Sequence, residues 1–531
     1  MQLHGKSLIG GEPVADGNKT FQGFNPKEGA SLEPSFYEAT PEEVNRALQL
    51  AQDAAMQLRH SSSEEVAELL SGIREEIAAL GDKLIDRAAQ ETALDPARLK
   101  GERDRTLNQI ALFAGVVREG SWVDARIDTA LPERKPLPRP DIRRMLQPIG
   151  PVAVFGASNF PLAFSIAGGD TVSALAARNP VVVKAHPAHP GTSELVGSAI
   201  VKAVKAQSMS PGVFALLQSR DPGISLALVS HPHTKAVGFT GSLRAGRALF
   251  DAAAKRPDPI PVYAEMGSVN PIFILPGALQ ARSAQIAEGL FKSVTLGTGQ
   301  FCTNPGLAFV RESAAFEPFR AALEQMFKDA APGTMLNPPI RQGYAEKVRE
   351  FAQIGGVQSV FSQQEGSVSR SEGQPALFIT SFDTWSQNHV LHEEAFGPAT
   401  VLVLCRSDAE FSAAAEEIEG SLTATLQATP EELGHYASLL DRLGCIAGRL
   451  IVNGYPTGVE VGYAMHHGGP YPATTDEKFT SVGTAAIYRF ARPVCYQGFP
   501  HQLLPPELQN ANPRHIMRTV DGQLTRDPIP D

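Results

Sequence analysis

The segment Gly297-Thr-Gly-Gln-Phe-Cys302-Thr-Asn304 puts one thiol among glycines and small polar residues, with no charge beside it. A core cysteine keeps apolar company. A nucleophilic one needs backbone freedom and nearby N–H donors, because the thiolate is the reactive form. Taken alone, the segment leaves a nucleophile and an ordinary loop cysteine equally open. Asn159 follows the apolar run Pro151-Val-Ala-Val-Phe155 and offers a carboxamide N–H. Such a dipole holds an oxyanion without a charge that must be neutralised in the ground state, although a turn asparagine reads the same way. Glu265 ends the run Pro261-Val-Tyr-Ala264, where a carboxylate near a thiol could take a proton from water. Glu394 lies in Glu393-Glu-Ala-Phe396-Gly-Pro398, which by itself also reads as a solvated acidic pair before a turn.

Such groups must be held by elements that end near one another. The runs Pro151–Phe155, Val181–Lys184, Val213–Leu217 and Ala236–Phe239 alternate with helical stretches, which predicts α/β architecture with a parallel, doubly wound sheet. Chemistry in such sheets sits at the strand C-termini, and Asn159, Lys184 and Gly241 fall just after these runs. A second alternating stretch from about Pro261 to Leu450, with strands near Pro271–Leu275 and Leu307–Val310, carries Cys302. The first 120 residues read as mostly helical. Thr40-Pro-Glu-Glu43 is a capping box with proline at the first helical position, Ser61-Ser-Ser-Glu64 opens an apolar run to Leu80, and a third helix covers about Glu102 to Arg118. Four prolines in Pro132–Pro140 exclude helix there and predict an extended arm. The last 40 residues, with Pro505-Pro506 and Pro528, read as an extended tail lying on a partner subunit.

A chain of 531 residues is too long for one core. Its net charge of −10, with no basic block, argues against nucleic-acid binding. The four cysteines, 302, 405, 445 and 495, contain no C-x-x-C pair, so no metal site, redox motif or disulfide framework is expected. Cys405, Cys445 and Cys495 read as ordinary buried cysteines. The N-terminus lacks a signal-peptide pattern and no apolar run spans a membrane, so a cytoplasmic enzyme in a reducing compartment is expected.

Gly156-Ala-Ser-Asn-Phe-Pro161, Ala264-Glu-Met-Gly-Ser268, the Cys302 loop and Glu393–Pro398, in this order, resemble the aldehyde dehydrogenase superfamily. The resemblance implies two doubly wound parallel-sheet domains and an oligomerisation arm. It assigns 1–131 and 148–260 to cofactor binding, 261–450 to catalysis, and 132–147 with 470–531 to the arm and tail. It makes Cys302 the nucleophile of an aldehyde: a thiohemiacetal loses hydride to a nicotinamide, and water releases the acid from the resulting thioester. Asn159 and the nucleophile's backbone N–H would hold the oxyanion, and Glu265 would activate the water. Glu394 would bind the nicotinamide ribose, Phe396 would lie beside that ring, and Lys184 would bind the adenosine ribose. Gly241-Ser242, at a helix start suited to phosphate, matches the pyrophosphate site. The family's usual two glycines and lysine after the glutamate and its neighbour are here replaced by Gly267-Ser268-Val269-Asn270.

Many NAD-using members carry a glutamate three residues after the lysine; here it is Pro187. With that carboxylate gone and Lys184 and His186 nearby, a 2′-phosphate is welcome and NADP is expected over NAD, with Arg220 as a second phosphate contact. Asn453–Glu460, His467–Ala473 and Arg492–Gln497 resemble the branch that oxidises 2,5-dioxopentanoate to 2-oxoglutarate, to which fatty aldehyde dehydrogenation is also similar. Phe160, Phe164, Phe301 and Pro456 either wall the aldehyde's path or simply pack a core. No anchor for a distal carboxylate is evident. Broad fatty or aromatic aldehyde oxidation is the alternative. A CoA-acylating reductase is disfavoured by Glu265, a non-catalytic binding protein by the intact set of four site residues, and a cysteine protease by the phosphate-binding segment. The family also implies a homodimer or homotetramer.

Overall fold

The computed structural model describes residues 2–530. Its first sheet is built on five short strands, Val152–Phe155, Val181–Lys184, Phe214–Leu217, Ala236–Thr240 and Val262–Glu265. Their continuous apolar runs are buried because helices cover both faces, as parallel strands require. Across the sheet the order is 262–265, 236–240, 152–155, 181–184, 214–217, all parallel. Ser7–Ile9 and Glu12–Val14 then add an antiparallel edge. The chain thus starts in the middle and winds outward both ways. The order reverses between 152–155 and 236–240, which opens a crevice at the strand C-termini. Phe155 pairs with Phe239 and with Lys184, and Thr240 with Glu265. Asn159, Lys184, Gly241 and Glu265 therefore leave the sheet at one level.

The second sheet runs in the order 358–361, 376–381, 399–405, 307–311, 272–274, 421–427, 447–452, parallel except for its first edge strand. Its core is aromatic, with Phe273 stacked on Phe309 at 4.8 Å and Trp385 edge-on to Phe309 at 4.9 Å. Val262–Glu265 hydrogen-bonds into the first sheet, so the strand ending in Glu265 lies on the cofactor side of the boundary expected at 261.

The helical reading of the first 120 residues holds from Pro41 onward. Before it lie the short edge strands and a hairpin of Thr20–Asn25 with Ala30–Tyr37. These strands alternate weakly and carry polar residues, so neither helical nor strand period shows in the sequence. The predicted capping box forms at Thr40/Glu43, and the helix start expected at Ser61–Glu64 carries a second one at Ser62/Glu65, each stabilising its helix by about 1 kcal/mol. The third predicted helix begins at Pro96, capped by Asp95, and runs to Glu119; Gly81–Thr92 is a separate helix before it.

The proline-rich stretch is an exposed loop between strands Arg126–Asp128 and Ile142–Pro148. These strands belong to a third, five-stranded sheet with Ala491–Gln497, Arg518–Val520 and Gln523–Thr525. The expected extended tail instead folds onto its own chain. Leu504, Leu508 and Ile516 enter the main core, and Asp521 accepts bonds from Thr129 and Arg139. Polar and proline residues around those three apolar side chains hid them in the sequence. Cys405 is buried as expected, whereas Cys445 and Cys495 are exposed, one late in a surface helix and the other on the outer face of a sheet strand. Among the described residues no helix is long and apolar enough to cross a membrane.

Candidate active site

The Cys302 loop is set by backbone geometry. Gly297, Thr298 and Gly299 are left-handed, at φ of 56°, 58° and 67°, which glycine tolerates and other residues resist. A Cβ on Gly299 would stand 2.1 Å from the Gly397 carbonyl oxygen, so only glycine lets this loop touch the Glu394 loop. Asn304 Nδ2 donates to the same carbonyl at 2.9 Å. Asn270 Nδ2 donates to the Cys302 carbonyl at 2.8 Å and to that of Asn304 at 2.9 Å, while its Oδ1 accepts from Thr423 and Ser268. Ser268 Oγ in turn accepts from the Leu422 N–H at 2.9 Å. The departure at 267–270 thus forms a buried polar network that ties the thiol loop to the second sheet.

His467 Nε2 lies 3.5 Å from Cys302 Sγ and 3.1 Å from Glu265 Oε1, and Ser481 Oγ donates to Glu265 Oε2 at 2.5 Å. The three donor atoms of Cys302, Glu265 and His467 all fall within 4.8 Å of one another. With a carboxylate beside it, Nε2 must carry the proton it gives to Glu265. Sequence reasoning used the His467 segment only as a branch signature and missed this position. His467 is placed by the chain that follows it. Its N–H donates to Thr480 Oγ1 at 2.8 Å, and Met266 N–H donates to the Ala473 carbonyl at 2.7 Å. Residues 473–475 therefore lie along the open edge of the Val262–Glu265 strand, bringing together groups 202 positions apart.

Burial pushes the Cys302 thiol well above its ordinary pKa; the Glu265 and Glu394 carboxylates add to this and Arg105 opposes it. Burial also pushes Glu265 upward, but the charge and hydrogen bond of His467, with the bonds from Ser481 and Cys302, outweigh it and hold the group down at about 2. The resting pair is therefore a protonated thiol beside an ionised carboxylate, which can receive the thiol's proton as sulfur attacks. Asn159 donates one Nδ2 hydrogen to the Gln300 carbonyl at 3.0 Å, leaving the other for a ligand, and its own carbonyl is fixed by Arg98 Nη2 at 2.9 Å. Among the described residues nothing accepts the Cys302 backbone N–H.

A cavity of about 700 Å³ runs from this group along the crevice of the first sheet. Cys302, Asn159, Glu265, Glu394 and Phe396 line it, as do Lys184, His186, Pro187, Arg220, Gly241 and Ser242. Every residue predicted for cofactor binding therefore faces the same space as the thiol. Ser242 caps the Leu243–Ala254 helix, whose N-terminus opens toward the cavity and can receive a phosphate. Burial lowers Lys184 to about 8, against the pull of Glu38 and Asp221, and raises Glu394 to about 8. Burial, then His189 and Lys184, hold His186 well below its ordinary pKa, so it faces the cavity as a neutral ring. Glu38, which sequence reasoning did not single out, accepts from Ser219 Oγ at 2.7 Å and from the Arg220 N–H at 2.8 Å, and lies 3.8 Å from Arg220 Nε.

On the other side of the thiol, Phe160 packs against Phe164 at 5.2 Å and Phe301 at 5.4 Å, and Phe164 lies edge-on to His467 at 6.5 Å. Arg98 covers Phe160 and Phe301, and Arg105 covers Phe164. Pro456 is buried, its carbonyl accepting from Arg449 Nη2 at 2.7 Å.

Two doubly wound sheets with a thiol, a carboxylate and a carboxamide at the head of a dinucleotide-sized crevice define an aldehyde dehydrogenase architecture. Residues 14–476 match the aldehyde dehydrogenase family, and the chain belongs to it. It is 49% identical over 524 residues to α-ketoglutaric semialdehyde dehydrogenase 2 of Azospirillum brasilense, covering 98% of this chain and 100% of that one. It is 45% identical over 525 residues to α-ketoglutaric semialdehyde dehydrogenase of Acinetobacter baylyi, covering 99% of each. Among solved structures, 3,6-anhydro-L-galactose dehydrogenase in complex with NAP superimposes with a TM-score of 0.79 at 21% identity, over 93% of this chain and 99% of that one. Thermus 1-pyrroline-5-carboxylate dehydrogenase with bound NAD gives 0.79 at 19% identity, over 93% and 92%. These two support the fold.

Proposed function

We propose that this protein oxidises 2,5-dioxopentanoate to 2-oxoglutarate with NADP, through a thioester on Cys302. The observation that carries the chemistry is the grouping of Cys302, Glu265 and His467 within 4.8 Å at the head of the cofactor crevice. The two semialdehyde dehydrogenases that are nearly half identical over full length support the substrate.

Cys302 sulfur attacks the aldehyde carbon while its proton passes to Glu265. The developing oxyanion is held by the second Nδ2 hydrogen of Asn159 and the Cys302 backbone N–H. A nicotinamide bound beside Glu394 and Phe396 supplies the hydride acceptor. Glu265, held at about 2, releases the thiol's proton to solvent; ionised again, it takes a proton from the water that attacks the thioester, the C–S bond breaks, and that proton returns to the sulfur as the acid leaves. His467 holds the Glu265 carboxylate at one oxygen and Ser481 at the other, so the base keeps one orientation for both proton transfers. Lys184 and Arg220 would contact a 2′-phosphate at the far end, with Gly241 and Ser242 on the pyrophosphate. A homodimer or homotetramer fits the apolar Leu450 and Val452 exposed on the edge strand of the second sheet.

The test is absorbance from NADPH formation with 2,5-dioxopentanoate, repeated with NAD and with hexanal. Fast turnover favouring NADP and the semialdehyde is expected. A higher kcat/KM for hexanal would keep the thioester chemistry and overturn the substrate, in favour of broad fatty aldehyde oxidation.

A further inference from the structure

The Pro96–Glu119 helix presents Arg98, Glu102 and Arg105 on one face, since positions three and four apart are neighbours on a helix. Arg105 lies with its guanidinium carbon 5.2 Å from the centre of the Phe164 ring. That ring is 6.5 Å from His467, whose Nε2 is 3.5 Å from the Cys302 sulfur. A guanidinium thus stands two side chains from the reacting atom. Among the described residues its buried Nε and Nη2 have no hydrogen-bond partner, and the same holds for Arg98 Nη1 and Arg449 Nε. Among the described residues none of these three arginines forms an ion pair, whereas Arg87 and Arg489 pair with Glu91 and Asp170. Glu102, the carboxylate between Arg98 and Arg105, accepts at Oε1 from the N–H groups of Leu162 and Ala163 at 2.8 and 2.9 Å, and among the described residues its buried Oε2 has no partner.

Buried guanidinium N–H groups left unpaired are costly unless a ligand completes them. Here those of Arg98 and Arg105 lie over the rings of Phe160, Phe164 and Phe301 beside a nucleophile, and the planar fork of a guanidinium matches a carboxylate.

We infer that Arg105, supported by Arg98, is the subsite that binds the distal carboxylate of the aldehyde substrate. This rests on the proposed aldehyde oxidation and names the feature that selects its substrate. The apolar rings Phe160, Phe164 and Phe301 accommodate the methylenes between the aldehyde and the carboxylate. A simple alkyl aldehyde would fill the same walls and leave the guanidinium unpaired, the kind of mismatch that discriminates strongly.

The experiment measures kcat and KM for 2,5-dioxopentanoate and for pentanal with wild type, Arg105→Met and Arg105→Lys, alongside thermal midpoint and NADP binding. The expected result is a loss of kcat/KM for the semialdehyde on the order of ten- to a hundred-fold greater than for pentanal, carried mainly by KM. Arg105→Lys should recover part of it, and 2-oxoglutarate should inhibit Arg105→Met less than wild type. Equal losses on both aldehydes, a loss confined to kcat, or an unmoved ratio would overturn the subsite. If Arg105→Met fails to fold, the same ratio is read in Arg105→Gln with the same meaning. A wild type that prefers pentanal overturns the substrate reading and the subsite together; a wild type that prefers the semialdehyde with an unmoved ratio in the variants overturns the subsite alone.

Discussion

Cys302 stands between two regions that treat charge in opposite ways. On the crevice side, the cations Lys184 and Arg220 line an open cavity and have carboxylates at hand in Glu38 and Asp221. On the aromatic side, Arg98 and Arg105 carry buried N–H groups that, among the described residues, have no partner and no ion pair. The first arrangement is balanced before any ligand arrives. The second is balanced only when one does. The difference teaches that affinity on the crevice side is spread over many groups, whereas selectivity on the aromatic side is concentrated in a few unsatisfied ones.

The boundary itself gives the largest effect. Cys302→Ala removes the nucleophile that stands between the two regions, and turnover should fall by at least about 10⁴-fold while NADP binding, followed by fluorescence, stays near wild type. Loss of dinucleotide binding alongside activity would mean that the thiol loop also shapes the crevice, and the two regions would not be separable.

The next effect separates base from nucleophile. Glu265→Gln keeps the shape of the side chain and should slow steady-state turnover by roughly 10²- to 10⁴-fold. His467→Gln tests the same group through pH. His467 is the strongest of the influences that hold Glu265 down at about 2. Taking it away raises the carboxylate's pKa, so the base protonates sooner on acidification. The acid limb of the kcat profile should move to higher pH in His467→Gln, with the plateau at neutral pH less affected. An unmoved limb would detach His467 from Glu265. Asn159→Ala should cost less, about 10²- to 10³-fold in kcat, as for one oxyanion donor. A loss equally large in KM would instead assign the carboxamide to ground-state binding.

How much of this was legible in the sequence follows the same division. The alternation of apolar runs and helices disclosed the first sheet to within a residue at Val181–Lys184 and at Phe155, because parallel strands buried on both faces carry an uninterrupted signal. The thiol, carboxylate, carboxamide and phosphate-binding residues lie in local motifs, and each faces the common cavity. His467, Arg98 and Arg105 lie in no motif that names their use. Arg105 is one polar residue on a long helix, indistinguishable in sequence from Arg103, which pairs with Asp104 near the surface. Glu38 is delivered by the end of a hairpin strand that the sequence did not reveal. What the sequence withheld are groups whose role depends on which distant element faces them.

The smallest effect tests the crevice side, through Glu38→Gln. Its carboxylate lies 3.8 Å from Arg220 Nε and also keeps the Lys184 pKa from falling further. Removing it frees Arg220 for a 2′-phosphate. Arg220 is largely exposed, so the NADP-over-NAD ratio of kcat/KM should rise only about two- to five-fold. The same change lets Lys184 fall below its value of about 8. At pH 6.5 that lysine stays charged and the full gain should appear. At pH 8.5 a larger share of it is neutral in the variant, and the gain should shrink or vanish. A ratio that falls at both pH values would reverse the assignment: Glu38, through its bond to the Arg220 N–H, would then be holding the arginine in place for the phosphate, and the crevice cations would depend on their carboxylates rather than be restrained by them.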